Sequence, residues 1–231
     1  KPLAPARGQA AAAPQLRALL RRARDLGAHL HIDMESLDSR ETVLGLVFEL
    51  LSEPEFRDGP SAGVVAQAYL RDAVPTVERI LDWARAAERT TPLTVRLVKG
   101  AYWDQELISA CQHGWAVPVW ESQADTDACF RTCSELLLDA FPLVRTAVGS
   151  HNVDSIAHAV AYARTAGLAP GDVEYQVLRG LGDGLARALA REGLRCRVYS
   201  PVGDMVAGMA YLVRRLLENS ANVGFATNFG S

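Results

Sequence analysis

Two stretches of the 231-residue chain carry side chains whose types and spacing suit chemistry better than packing. The first, Val95-Arg96-Leu97-Val98-Lys99-Gly100-Ala101-Tyr102-Trp103-Asp104, is an apolar strand that delivers two cations, then a glycine, then two aromatic rings. A cation at the inward end of a buried strand is costly unless something pairs with it. A glycine beside it lets the backbone approach a flat or phosphorylated ligand. The second stretch, Tyr211-Leu212-Val213-Arg214-Arg215-Leu216-Leu217-Glu218-Asn219, has helical spacing. At 100° per residue Tyr211, Arg214, Arg215 and Glu218 share one broad face, where two adjacent guanidinium forks can hold a carboxylate bidentately. Rim salt bridges for Arg96 and Lys99, and a solvated face for the Arg-Arg pair, are the structural alternatives.

His151 has the chemistry of a base, a metal ligand, a cofactor contact or a structural hydrogen-bonder. Metal binding there is poorly supported, because His158 stands seven residues on in the next helical stretch and no HExxH occurs. Gly180-Leu181-Gly182-Asp183-Gly184 is glycine-rich without being a dinucleotide fingerprint or a P-loop, and reads as a strand-to-helix turn. Cys111, Cys129, Cys133 and Cys196 show neither a CxxC pair nor zinc spacing and read as reduced, packed thiols. No metal site is expected.

These residues need a scaffold that brings distant segments together. Residues 1–14, with three prolines and an alanine run, show no persuasive periodicity and are expected to be irregular. From Gln15 the pattern alternates. Strands are predicted at Ala28–Ile32, Gly63–Tyr69, Leu93–Lys99, Val144–Gly149, Val173–Leu178 and Cys196–Tyr199. Helices are predicted at Gln15–Leu26, Ser39–Leu51, Val74–Ala87, Asp125–Ala140, Val153–Ala166, Gly184–Glu192 and Asp204–Asn219.

Continuous apolar strands between helices imply an α/β fold with a parallel sheet. Polar residues end nearly every strand (Asp33, Gln67, Arg96 and Lys99, His151 and Asn152, Gln176 and Arg179, Tyr199), which suits a ring of strand ends better than one crevice. The expected fold is therefore a TIM-type (βα)8 barrel over residues 15–231. An eight-unit barrel needs about 250 residues, and six strands are visible, so the first one or two N-terminal strands are expected to be missing from this chain.

Composition sets outer bounds. With 49% hydrophobic and 22% charged residues the chain is globular, and at this size it should bury about 70–75% of its unfolded surface. A net charge of −3 supplies no basic field for non-specific nucleic-acid binding. No apolar run reaches the roughly 18 residues of a spanning helix. The expected setting is cytoplasmic, and peripheral attachment to the inner face of the plasma membrane stays open.

At Val95–Asp104 the chain resembles the proline dehydrogenase family, in particular the proline dehydrogenase domain of the bifunctional proline utilization A enzymes. The likeness continues in order through Ile32-Asp33-Met34-Glu35, Val65-Ala66-Gln67-Ala68-Tyr69, Asp125-Thr126-Asp127, Ser150-His151-Asn152, Glu174-Tyr175-Gln176-Val177-Leu178, Arg197-Val198-Tyr199-Ser200-Pro201-Val202-Gly203 and Tyr211–Asn219. Each block is weak alone; their ordered set is specific.

The resemblance implies a distorted (βα)8 barrel that holds FAD at its C-terminal mouth. There L-proline is oxidised to Δ1-pyrroline-5-carboxylate by hydride transfer to the flavin N5, and the electrons go on to a membrane quinone. It also implies a covalently linked aldehyde dehydrogenase domain in bifunctional members, outside these 231 residues. By position, Arg96 would lie near the flavin N5. Gln67, Lys99, Gly100, Ala101, Trp103, Thr126, Ser150, His151, Asn152 and Gln176 would line the cofactor, with Glu218 and Phe225 closing on it. Asp33, Tyr102, Leu178, Tyr199, Tyr211, Arg214 and Arg215 match the substrate side, and Arg96, Asp33 and Tyr199 would be catalytic. An amino acid's carboxylate suits Arg214 and Arg215, and the proline ring can pack on Leu178 and the tyrosines.

Two departures from the family pattern stand out. A lysine at the end of the family's second strand is matched here only by Lys1, in Lys1-Pro2-Leu3-Ala4. The Thr-x-Lys of the adenine and phosphate end is replaced by Glu121-Ser122-Gln123, which implies looser FAD retention. The competing readings are a Schiff-base aldolase with Lys99 as nucleophile and a truncated, non-catalytic barrel module.

Overall fold

In the computed structural model, residues 5–34, 36–200, 202–204, 209 and 213 are described, with the side chains of 5–10 left aside. The predicted alternation holds, with α1 (Pro5–Asp25), β1 (His29–His31), α2 (Leu37–Leu51), β2 (Ser61–Gln67), α3 (Ala73–Ala86), β3 (Leu93–Val98), α4 (Trp103–His113), α5 (Gln123–Asp139), β4 (Val144–Gly149), α6 (Val153–Thr165), β5 (Val173–Leu178), α7 (Asp183–Arg191) and β6 (Arg195–Tyr199). Among the described residues the strands form one six-stranded parallel sheet in sequence order, β1 to β6. Each connection is a helical crossover, the arrangement of a (βα) barrel.

The sheet curls. His29 on β1 lies within electrostatic reach of Arg195 and Arg197 on β6, and one hollow of about 450 Å³ is lined by residues from all six strands, His29 and Arg197 among them. This is a half-barrel, the truncated (βα)8 architecture expected from the strand count.

Two elements differ from expectation. The stretch read as irregular is helical from Pro5, and α1 runs on through Pro14. Its alanines have the highest helix propensity of any residue, while Pro5 at the first helical position loses no needed donor. Pro14 removes a single backbone hydrogen bond, which a 21-residue helix absorbs. Helix α4 has no counterpart among the predicted helices. It buries only Ala110, so the apolar periodicity that marks a core-facing helix is faint. The predicted helix Asp204–Asn219 lies outside the described residues but for Asp204, Met209 and Val213.

The core lies between the sheet's outer face and the helices. On β3 and β5 exposure alternates strictly: Leu93, Val95, Leu97, Val173, Tyr175 and Val177 are buried against the helices, and the residues between them face the hollow. Leu44, Val47, Leu50 and Leu51 of α2, Val77 and Ile80 of α3, and Phe130, Leu137 and Leu138 of α5 complete this layer, each at most 1% exposed. Full burial of such a side chain contributes about 1.5–3 kcal/mol. The outer layer therefore carries the stability and leaves the inner face free for polar residues.

Candidate active site

Parallel register sorts the inner-face residues into rows stacked along the barrel axis. His31, Gly63, Thr94 and Arg145 make one row; Val65, Arg96, Ala147, Glu174 and Arg195 the next; Gln67, Val98, Gly149, Gln176 and Arg197 the third; Leu178 and Tyr199 stand at the mouth. Successive rows are two residues apart, about 6.6 Å. Asp33 follows β1 and reaches the Arg96 row.

Arg96 and Asp33 form an ion pair, with Arg96 17% exposed at its side chain and Asp33 56%. Burial pushes the Arg96 guanidinium below its ordinary value, and Tyr199 works weakly the other way. A desolvated cation is thus held by a carboxylate that still reaches solvent. The residue matched to the flavin N5 and one matched to the substrate side meet directly.

Beyond the strand end, Lys99 Nζ donates to Asp127 Oδ1 of α5 at 2.5 Å, and Gln123 Nε2 donates to the same oxygen at 2.7 Å. The ammonium also sits 6.0 Å from the centre of the Phe130 ring. Gly100, at φ 135°, lies against Tyr69, and a Cβ there would stand 2.2 Å from the Tyr69 ring. The backbone after Lys99 is therefore held by a contact only glycine allows. Trp103 opens α4 and its Nε1 donates to the Trp120 carbonyl at 2.7 Å.

The row above Arg96 is suited to a flat ligand. Gln67, Val98, Gly149 and Gln176 are uncharged, and Arg197 at the β6 end of the row is paired with Glu174; a Cβ on Gly149 would stand 3.0 Å from Val98 Cγ1 and 3.8 Å from Arg96 Cδ. Bare glycine keeps that surface level next to the guanidinium. A flat ring is the kind of ligand such a surface suits.

Comparison with known proteins agrees with this fold. The family model described as proline dehydrogenase matches residues 3–228. The chain belongs to the proline dehydrogenase family. It is 35% identical over 219 residues to the bifunctional protein PutA of Salmonella typhimurium, covering 92% of this chain and 16% of that protein. It is similar, with a TM-score of 0.89 and 38% identity over 94% of this chain and 22% of that one, to proline utilization A from Bdellovibrio bacteriovorus inactivated by N-propargylglycine. A Bradyrhizobium japonicum proline utilization A mutant gives a TM-score of 0.86 at 34% identity, over 96% of this chain and 22% of that one. The chain thus spans about a fifth or less of these relatives' lengths.

Several residues that the family likeness puts on the cofactor side have structural bonds of their own. His151 Nε2 accepts from the Leu178 backbone N–H at 2.9 Å, tying the end of β4 to β5, so in its neutral form the ring carries its proton on Nδ1. Asn152 caps α6, its Oδ1 accepting from Ser155 N at 2.8 Å, and Ser150 Oγ accepts from Asn152 N at 3.1 Å. Thr126 is buried and its hydroxyl donates to the Ser122 carbonyl within its own helix. Gln176 Nε2 donates to Glu174 at 2.7 Å. Gln67, Ala101 and Tyr102 lie at strand ends or in the turn before α4, and Leu178 and Tyr199 face each other across β5 and β6. Tyr211, Arg214, Arg215, Glu218 and Phe225 lie outside the described residues, so the twin-guanidinium proposal has no geometry here.

The three residues that replace Thr-x-Lys are all engaged. Glu121 pairs with Arg71 at 2.8 Å, Ser122 caps α5 by accepting from Asp125 N at 3.0 Å, and Gln123 binds Asp127.

Two clusters escaped the sequence reading. Glu174 takes Arg195 Nε at 3.0 Å and Arg197 Nε at 2.7 Å, clamping β6 to β5. His29 and His31 stand on β1 and Asp33 follows it, a His-x-His-x-Asp alternation visible in the sequence. Among the described residues no group of three or more His, Cys, Asp or Glu could hold a metal ion.

Proposed function

We propose that this chain is the catalytic barrel of a flavin-dependent proline dehydrogenase, oxidising L-proline to Δ1-pyrroline-5-carboxylate. The observation that carries the reading is the Arg96–Asp33 pair, one row below the level seat at Gly149. FAD, when bound, accepts the hydride from the substrate carbon next to nitrogen; the protein chiefly orients the two partners. Arg96, desolvated and fixed by Asp33, supplies positive charge where the cofactor gains electrons. Lys99 and Gln123, anchored on Asp127, offer donors at the cofactor's edge. Leu178 and Tyr199 form the apolar and aromatic wall for the proline ring, and Arg214 and Arg215 take its carboxylate. A membrane quinone is the onward acceptor in this reading, consistent with a peripheral cytoplasmic setting. No helix among the described residues is long and apolar enough to cross a membrane.

The pairing of Lys99 weighs against the aldolase. A Schiff-base lysine must present a free amine, and this ammonium donates to a carboxylate at 2.5 Å. The test is steady-state turnover of the complete natural protein with FAD, L-proline and a soluble quinone. The expected result is stoichiometric formation of pyrroline-5-carboxylate and reduced quinone. Protein that binds FAD yet yields neither would overturn the proposal.

A further inference from the structure

Tyr69 takes no part in the chemistry above, yet the chain entering α4 and the chain leaving it are both fastened to it. It stands two residues beyond β2 and is 4% exposed. Its backbone N–H donates to the Lys99 carbonyl at 2.7 Å, next to a bond from Ala68 N–H to the Val98 carbonyl at 2.8 Å, so the pairing of β2 with β3 continues past both strand ends. Its own carbonyl accepts from Trp120 N–H at 2.8 Å, in the segment that follows α4. Beside that bond Arg71 N–H donates to the Pro118 carbonyl at 2.9 Å, and Leu70 bridges Val119. The ring makes a further contact: a Cβ on Gly100 would stand 2.2 Å from Tyr69 Cδ1 and 2.5 Å from both Cε1 and Cγ.

We propose that Tyr69 is a positioning residue that fixes the turn from Lys99 to Trp103 at both ends before the cofactor arrives. At the start of the turn it holds the Lys99 carbonyl and covers Gly100. At the end it acts through Trp120, whose carbonyl accepts from Trp103 Nε1 at 2.7 Å. This role rests on the proposed function, in which Lys99 meets the edge of the cofactor.

The turn needs such a hold. Ala101 and Trp103 are exposed, and α4 beyond them buries only Ala110, so packing of the helix does little to place them. Gly100, at φ 135°, has the widest backbone freedom of any residue type, and ordering it on ligand binding would cost affinity. A ring packed on the glycine removes that freedom in advance. Burial, then Glu106 and Tyr102, push the Tyr69 hydroxyl above its ordinary pKa against the pull of Arg40, so the phenol is neutral. The ring, not a charge, does the positioning. Tyr69→Phe is therefore the conservative change and Tyr69→Leu the disruptive one.

The test uses the complete natural protein stripped of FAD, with FAD affinity read by flavin fluorescence and local opening read by hydrogen exchange before FAD is added. Tyr69→Phe should keep both at wild-type values. Tyr69→Leu should weaken FAD binding about tenfold and speed exchange over residues 99–106 by a similar factor, because the turn is no longer ordered in advance. Residues 93–98 of β3 should keep their protection in both variants. A folded Tyr69→Leu with wild-type affinity and exchange would overturn the role, and so would equal losses in Tyr69→Phe and Tyr69→Leu, or a loss of protection that extends to residues 93–98. If Tyr69→Leu does not fold, Gly100→Ala decides: the Cβ driven against the ring should produce the same two losses, and their absence would refute the role. If the wild type binds no FAD, the proposed function fails instead, and exchange over residues 99–106 in the variants judges the positioning alone.

Discussion

Replacing Glu174 with Gln should loosen the strand that carries Tyr199, and the size of the effect can be worked from the site. The Glu174 side chain is 12% exposed, receives hydrogen bonds from Arg197 and Gln176, and forms an ion pair with Arg195. Burial raises its pKa, but the Arg197 fork, then Gln176 and Arg195, outweigh burial and hold the carboxyl at about 2 instead of 4.5. A depression of that size corresponds to about 3 kcal/mol. Both arginines are about half exposed, and solvent screening brings the expected loss to about 1.5–2 kcal/mol.

The sign follows from the depressed folded value. The contribution is complete above the unfolded pKa near 4.5 and is lost as pH falls toward about 2. Urea denaturation of wild type and variant from pH 7 to pH 3 measures it. The stability gap should hold at about 1.5–2 kcal/mol down to pH 5, then shrink to roughly half by pH 3. Equal stability at pH 7, or a gap that stays constant to pH 3, would refute the reasoning.

Arg96→Met should leave stability unchanged or raise it by about 1 kcal/mol, because a desolvated cation is removed while Asp33 stays in solvent; proline-dependent flavin reduction should fall at least a hundredfold, and a loss of more than about 2 kcal/mol in thermal unfolding would contradict this. Asn152→Ala removes the cap on Ser155 N and should cost about 1 kcal/mol, or about 2–4 °C in Tm, seen by calorimetry. The double change Glu121→Thr with Gln123→Lys should tighten FAD retention at least tenfold by restoring a cation that can bind phosphate; flavin fluorescence released on dialysis would show it, and no change would mean the segment does not reach the cofactor.

Where one physical signal ruled, the sequence was sufficient. Apolar runs such as Val173–Leu178 and Leu93–Val98 could only be strands buried against helices, and with them came the parallel sheet and its polar strand ends. Arg96 and Asp33 were identified through the ordered motifs, and the fold brings them together because β1 and β3 flank the same strand. What stayed hidden depended on tertiary context. Helix α4 lies on the surface with one buried residue, so no periodicity announced it. Pro14 argued against a helix that alanine propensity and packing of Leu20 nonetheless support. The bonds of His151, Asn152 and Ser150 across strand and helix ends need the register of β4 with β5, which residue types alone do not give.

The account is tested most directly by the visible spectrum of the flavin-loaded, complete natural protein under inert gas. Addition of L-proline should abolish the oxidised flavin band, and Arg96→Met should keep its colour. A folded, flavin-bearing wild type whose spectrum is untouched by L-proline would contradict the claim that this half-barrel builds a proline-oxidising site.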